Sequence, residues 1–181
     1  MRAAVMPDVA APRPRSISIR PIGPLDRDAL QQFYAELSNE SRHDRFLFLS
    51  LGVSRAQART FCMPDHEHGE GFVAIAADAV RGERIVGHLC LEPDGTATAE
   101  MAIAVADAYR HEGIGRRLLD AGVAWAGQER ITRLTASAYA TNTGIHRLVS
   151  GLARPTTVAW AGGGIIEMAI DLQVPRATSS R

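Results

Sequence analysis

An α/β fold, with one mixed central sheet of about seven strands and about four flanking helices, is what three features of the sequence predict. Short apolar or alternating runs recur along the chain, separated by Pro-Gly and Gly-rich punctuation. An amphipathic helical pattern follows a glycine turn at Gly113 and Gly115, directly behind one of those runs. Two further turn signals, "PDG" at 93–95 and "GGG" at 162–164, are flanked by strand-like residues on both sides. At 181 residues, 46% of them hydrophobic, the chain is large enough for one domain with its own core.

The elements follow in order. Residues 16–22, "SISIRPI", alternate and read as a strand, and "LDRDALQQFYAELS" places Leu25, Ala29, Phe33 and Leu37 at helical spacing. "SRAQARTFC" is a second, short helix capped by Ser54. "GFVAIAAD" and "ERIVGHLCLE" are strands separated by the turn "AVRG", and "PDG" closes a hairpin into "TATAEMAIAV". The next helix carries Ile114, Leu118, Ala121 and Trp125 on one stripe, widened by Leu119 and Val123. "ITRLTASAYA" is a strand, "NTGIHRLVSGLA" a short helix, and "TTVAWAGGGIIEMAIDL" a hairpin. Trp125 and Trp160 both read as core. The domain spans 16–173, with tails at 1–15 and 174–181 that lack periodicity.

Composition narrows the function. The formal net charge is zero, so a broad polyanion-binding surface, and with it a nucleic-acid partner, is not expected. All 20 basic residues are Arg, which removes lysine Schiff-base chemistry and any nucleotide P-loop. Cys62 and Cys90 form neither a close pair nor a ligand spacing, which suits reduced thiols, and the apolar residues of "MRAAVMPDVAAPRPR" are interrupted by Pro7 and Asp8, so neither a signal peptide nor a membrane span is expected. A cytoplasmic location follows as an expectation.

"RHEGIGRR" admits three physical readings. A dinucleotide fingerprint requires a third glycine where Leu118 stands. A glycine turn used only for tight strand-to-helix packing is the plain alternative. The third is a pyrophosphate cradle, in which backbone N–H groups at a helix start, helped by the dipole, meet an anion; Arg110, Arg116 and Arg117 would add charge-assisted contacts.

Arg110-x-x-Gly113-x-Gly115, behind a strand containing Ile103-x-Val105, resembles the acetyl-CoA-binding signature of the GNAT superfamily of N-acetyltransferases, and the order of strands and helices is similar over the ordered domain. "AELSNESRHDRF" and "AEMAIAVADAYRHEGIGRRLL" are similar to the catalytic domain of bacterial Pat-type protein lysine acetyltransferases. The resemblance implies acetyl-CoA as cosubstrate, contacted by the backbone of Ile103, Ala104 and Val105, by the loop Arg110, His111, Glu112, Gly113, Ile114, Gly115 and Arg116, and by Asn142 after the fifth strand. It implies a pantetheine arm lying between "MAIAV" and "ASAYA" as an additional strand. It also implies that Glu100 is the catalytic base, since an amine with a pKa of about 10.4 must lose a proton before it attacks; on residue pattern alone Glu100 is equally a solvated strand residue.

Three positions depart from the family pattern. Val149 stands where many relatives carry a Tyr that protonates the departing thiolate, Glu112 where a basic residue is common, and "GLARPTT" where an apolar-glycine-aromatic ending is usual. Tyr139 is a nearby acid in sequence, with packing as its ordinary role. Arg42, His43 and Arg45 form either a surface ion-pair cluster or a recognition site for an acidic group near the acceptor amine. "DHEHGE", with His66 and His68, lacks a clear third ligand, so no metal is expected. His88 and His146 read as packed or capping residues.

The expected activity is direct acetyl transfer to a primary amine in a ternary complex, since no Cys or Ser shows a nucleophile arrangement. A protein lysine side chain is the favoured acceptor; a small amine, a noncatalytic acyl-CoA sensor and a scaffold without cofactor are the other readings. Exposed edge strands of this fold also admit a homodimer.

Overall fold

The computed structural model describes residues 16–47, 52–64, 69–78 and 82–173. These form β1 (Ser16–Pro21), α1 (Arg27–Glu36), α2 (Asn39–Phe46), α3 (Arg55–Phe61), β2 (Glu70–Asp78), β3 (Gly82–Pro93), β4 (Thr98–Val105), α4 (Ile114–Gln128), β5 (Arg133–Tyr139), α5 (Thr143–Ser150), β6 (Thr156–Gly162) and β7 (Ile165–Asp171), with 3-10 turns at Pro24–Asp26 and Asp107–Tyr109. The seven strands make one sheet in the order β1-β2-β3-β4-β5-β7-β6. Every pairing is antiparallel except β4 with β5.

Alternation along the strands divides the core in two. On one face Leu89, Leu91, Met101, Leu134, Met168 and Ile170 pack with Ile114, Leu118, Leu119, Trp125 and Ala126 of α4 and with Val149 of α5. On the other, Val73, Ile75, Ile85 and Ala104 meet Leu30, Phe33, Tyr34 and Leu37 from the α1 segment and Ala58 of α3. Gly122 lets α4 settle onto β3, because a Cβ there would lie 2.7 Å from Leu89 Cδ2. Ser54 caps α3 and exchanges bonds with Gln57, as the sequence signal implies.

Four details differ from the sequence reading. A fifth helix, α2, occupies "NESRHDRF", whose single apolar residue, Phe46, leaves no stripe to detect; it forms because Ser38 caps it and tertiary contacts hold it. In α1 the buried stripe is Leu30, Phe33, Tyr34 and Leu37, while Leu25 is 99% exposed and Ala29 is exposed, since the 3-10 turn rotates the chain before the helix begins. In α4 the buried stripe takes Gly122 and Ala126, with Ala121 and Val123 only half-buried. Trp160 is 67% exposed, because it lies on β6, the edge strand, whose residues from Thr157 to Ala161 are all exposed.

His88 sits at the centre of the second core. It has no exposure, and its Nδ1 lies 2.9 Å from the Tyr34 hydroxyl. Burial pushes its pKa down to about 3 and that of Tyr34 up to about 12. In the unfolded chain His88 takes up a proton near its ordinary value of about 6.5, so the unfolded state binds more protons below that pH and stability rises with pH across the window from 3 to 6.5. Lowering the pH below 6.5 should therefore destabilise the fold by about 1.4 kcal/mol per unit from this group. Urea unfolding at pH 7 and pH 5 measures the slope; an equal slope in His88→Gln would show that His88 is not its source.

Among the described residues no helix is long and apolar enough to cross a membrane, and no group of three His, Cys, Asp or Glu side chains is placed to hold a metal ion. Asp65, His66, Glu67 and His68, and the two tails, lie outside the described residues.

Candidate active site

The sheet opens in its middle. β4 and β5 pair only at Thr98↔Arg133, Ala99↔Leu134 and Glu100↔Thr135, whereas β4 stays paired with β3 as far as Gly87↔Val105 and β5 stays paired with β7 as far as Tyr139↔Ile165. Beyond Glu100 the two parallel strands diverge, and half of each backbone loses its neighbour. The side that is left free follows from the ladder's parity. Ala106 N donates to Val86 O at 2.9 Å, so even-numbered residues of β4 turn their peptide groups toward β3 and odd-numbered ones turn theirs toward β5. Ile103 and Val105 thus present backbone N–H and C=O groups to the opening, and Met101, whose N–H still faces Thr135 in the last paired row, presents its C=O. Ala104, between them, turns its backbone to β3 and buries its side chain beneath α1–α3.

The glycine turn lies at the wide end of this opening. His111 and Gly113 both have positive φ, 66° and 78°, and Gly113 is the N-cap of α4. The helix's first bond runs from Arg117 N to Gly113 O, 3.1 Å, which leaves the N–H groups of Ile114, Gly115 and Arg116 without intrahelical acceptors. A Cβ at Gly115 would come 3.8 Å from Val105 Cγ2, so the helix start and the free edge of β4 are adjacent. Successive N–H groups at the start of a 15-residue helix make an anion cradle.

The arginines around that cradle face elsewhere. Arg110 donates to the Ser41 hydroxyl at 2.6 Å and lies 3.4 Å from Asp107; Arg116 pairs with Asp120 at 2.9 Å and reaches Gly151 O; Arg117 donates to Ile17 O at 2.9 Å. Anion attraction at the turn comes from the backbone. Glu112 and His111 are exposed, and among the described residues Glu112 forms no ion pair. Asn142 caps α5, its Oδ1 accepting from Gly144 N and Ile145 N at 3.1 Å each. Val149, in the position of the missing Tyr, is buried.

The narrow end of the opening carries the acid. Glu100 is exposed, on the α1–α3 face of the sheet, directly opposite Glu92 of β3 and Thr135 of β5, at the last point where β4 and β5 touch. Ser137 and Glu167 pair one row further along on the same face. Across this face runs α2, fastened by Asp107, which accepts hydrogen bonds from Ser38 N at 2.9 Å, from the Ser38 hydroxyl at 3.1 Å and from the Ser41 hydroxyl. Burial alone would raise the Asp107 carboxyl; these donors, with Arg110 beside them, bring it below its ordinary value.

The three α2 residues singled out by sequence have separate duties. Arg42 binds Ala35 O at 3.1 Å and Leu37 O at 2.8 Å, closing the end of α1. His43 stacks on Tyr139, centroids 4.6 Å apart, and the Tyr139 hydroxyl donates to Leu47 O at 2.9 Å, so Tyr139 anchors α2 over β5. Arg45 points into the sheet, its Nη2 3.0 Å from the Cys90 sulfur and its guanidinium over the rings of Phe46 and Phe61. Burial pushes the Cys90 thiol up despite that guanidinium. Sequence reasoning missed Met101, Glu92 and the Ser41–Asp107 tie. Strand parity could have found the first, and hairpin register across "PDG" the second; the third joins residues 66 positions apart and has no local signal.

A family model described as "Acetyltransferase (GNAT) family" matches residues 28–150. No curated protein matches the sequence. Among solved structures the chain is similar to the GNAT domain of S. lividans PAT, with TM-score 0.73 and 22% identity, covering 84% of this chain and 89% of that one. It is similar to a GCN5-related N-acetyltransferase from Kribbella flavida, with TM-score 0.67, 22% identity and coverage of 86% and 97%. It is also similar to the yncA protein of Salmonella typhimurium, solved with acetyl-CoA, with TM-score 0.67, 17% identity and coverage of 91% and 99%. At these identities the structures attest the fold.

Proposed function

Because the chain belongs to the GNAT acetyltransferase family, we propose that it moves an acetyl group from acetyl-CoA to a primary amine, a protein lysine side chain in the first instance, by direct transfer in a ternary complex. The observation that carries this is the divergence of β4 from β5 immediately after Glu100, with a helix N-terminus at the other end.

The residues fit the cosubstrate. An extended arm bearing amides needs free backbone partners along one strand edge, which Ile103 and Val105, with Met101, can supply, while Ala104 holds that edge in place from beneath. The turn from Arg110 to Arg116, with His111, Glu112, Gly113, Ile114 and Gly115 between, would receive the pyrophosphate on its peptide N–H groups. Asn142 keeps its amide NH2 as a donor while its oxygen caps α5. When bound, acetyl-CoA supplies an acetyl group already activated as a thioester. Glu100, at the apex and open to the acceptor face, would take the proton from the incoming ammonium. Burial raises the Cys90 thiol in spite of Arg45 and makes it a poor nucleophile, which favours direct transfer over a covalent enzyme intermediate.

Lysine is favoured by the Pat-type pattern of 35–46 and 99–119. The buried Val149 favours one rival, a sensor that binds acyl-CoA without turnover; thiol release with any amine removes it. The reading includes a homodimer through β6, an edge strand uncharged from Thr156 to Gly162 that exposes Val158 and Trp160; a monomer in sedimentation equilibrium rejects that part.

A thermal-shift titration with acetyl-CoA, CoA and NAD tests the whole. Both CoA species should raise Tm, by about 2.7 kcal/mol of added stability at 100 times Kd, and NAD should not. No shift with either CoA species overturns the proposal.

A further inference from the structure

Arg45 is a partly buried cation that pairs with no anion among the described residues. Among the described residues no carboxylate lies within salt-bridge distance of it, its Nε is buried without a hydrogen-bond partner, and its polar contacts are the neutral Tyr34 hydroxyl and the Cys90 sulfur, the latter at 3.0 Å. Phe46 and Phe61 flank the guanidinium, 5.0 and 5.8 Å from their centroids, and orient it. A charge removed from water and left unpaired is unfavourable, and a folded protein retains one where a ligand completes it.

Its position identifies the ligand. Cys90 pairs with Ala102, and the next pair along the same face, about 7 Å away by strand rise, is Glu92 with Glu100. The divergence of β4 from β5 begins between these two rows. A fixed guanidinium therefore lies one row from the acid assigned to the amine. A guanidinium donates two parallel N–H bonds to a planar, bidentate anion, which among small metabolic groups is a carboxylate.

Resting on the acyltransferase reading above, we infer that Arg45 is the receptor for a carboxylate carried by one of the two substrates. Either the acceptor is an amine that also bears a carboxylate, as a free amino acid does, or the acyl group is that of a dicarboxylic acid. Both put the same anion on the same side chain, and the carboxylate takes no part in bond making.

Calorimetry separates the sources. In one arm, protein loaded with CoA is titrated with lysine and with cadaverine, which has the same chain and terminal amine and no carboxylate. In the other, protein alone is titrated with succinyl-CoA and with acetyl-CoA. A charge-assisted contact should favour the carboxylate-bearing member of one pair by roughly 10-fold or more, and in Arg45→Met that preference should fall to about 2-fold or less while CoA affinity is unchanged. The inference fails if wild-type protein shows no preference in either arm, or if Arg45→Met retains it. Should Arg45→Met not fold, the wild-type comparison decides alone. If CoA itself does not bind, the acyltransferase reading falls, and lysine against cadaverine on the unliganded protein still decides this one.

Discussion

Glu100→Gln lowers kcat by roughly 100-fold or more while acetyl-CoA binds as tightly as to the wild type. The substitution keeps shape and hydrogen bonding on an exposed strand position and removes only the capacity to take a proton. The deficit should widen toward low pH, where the fraction of free amine is smallest and removal of a proton matters most. Stability should not fall, since replacing one of two acids that face each other across β3 and β4 relieves repulsion with Glu92. Steady-state thiol release across pH, beside a binding isotherm for acetyl-CoA, reads all of this. Unchanged kcat would remove Glu100 from the chemistry.

Gly115→Glu abolishes stabilisation by CoA without unfolding the protein. A Cβ at this position meets Leu148 at 3.7 Å and Val105 at 3.8 Å, ordinary contacts that the fold accepts. What changes is the occupant of the cradle: a carboxylate at the helix start takes up the positive end of the dipole and repels pyrophosphate. Denaturant midpoints should match the wild type within about 0.5 kcal/mol, while the roughly 2.7 kcal/mol added by saturating CoA disappears. A retained CoA shift would move the pyrophosphate away from this turn.

The seven strands and the long helix were legible because their residues obey simple periods. β5 alternates Leu134, Ala136 and Ala138 inward, and α4 repeats apolar residues every three or four positions. Helix α2 was not legible, since its surroundings rather than its own residues make it helical; Asp107 and Ser41 fasten it across the chain. Trp160 misled for a related reason: large apolar residues predict burial only where an element exists to cover them. The glycine turn and the strand before it could be located in advance because positive φ favours glycine and strands alternate. The duties of individual arginines could not. Arg110, Arg116 and Arg117 sit in the anion loop by sequence, yet partners 35 to 100 positions away hold the guanidiniums of Arg116 and Arg117 elsewhere, and Ser41 holds that of Arg110. Arg45 attracts notice only once Cys90 and two phenyl rings are seen around it.

The gap between β4 and β5 bears on how the unliganded protein breathes. Amides of Ile103 and Val105 open to solvent while that of Ala104, between them, stays bonded to β3, so hydrogen exchange along this end of the strand should alternate fast and slow. A cosubstrate lying in the gap would slow the fast set and knit the two halves of the sheet together. On the proposal above, the molecule is one strand short and a metabolite would supply that strand. Its resistance to proteases would then rise and fall with the supply of acetyl-CoA, making the lifetime of the enzyme a function of the compound it consumes.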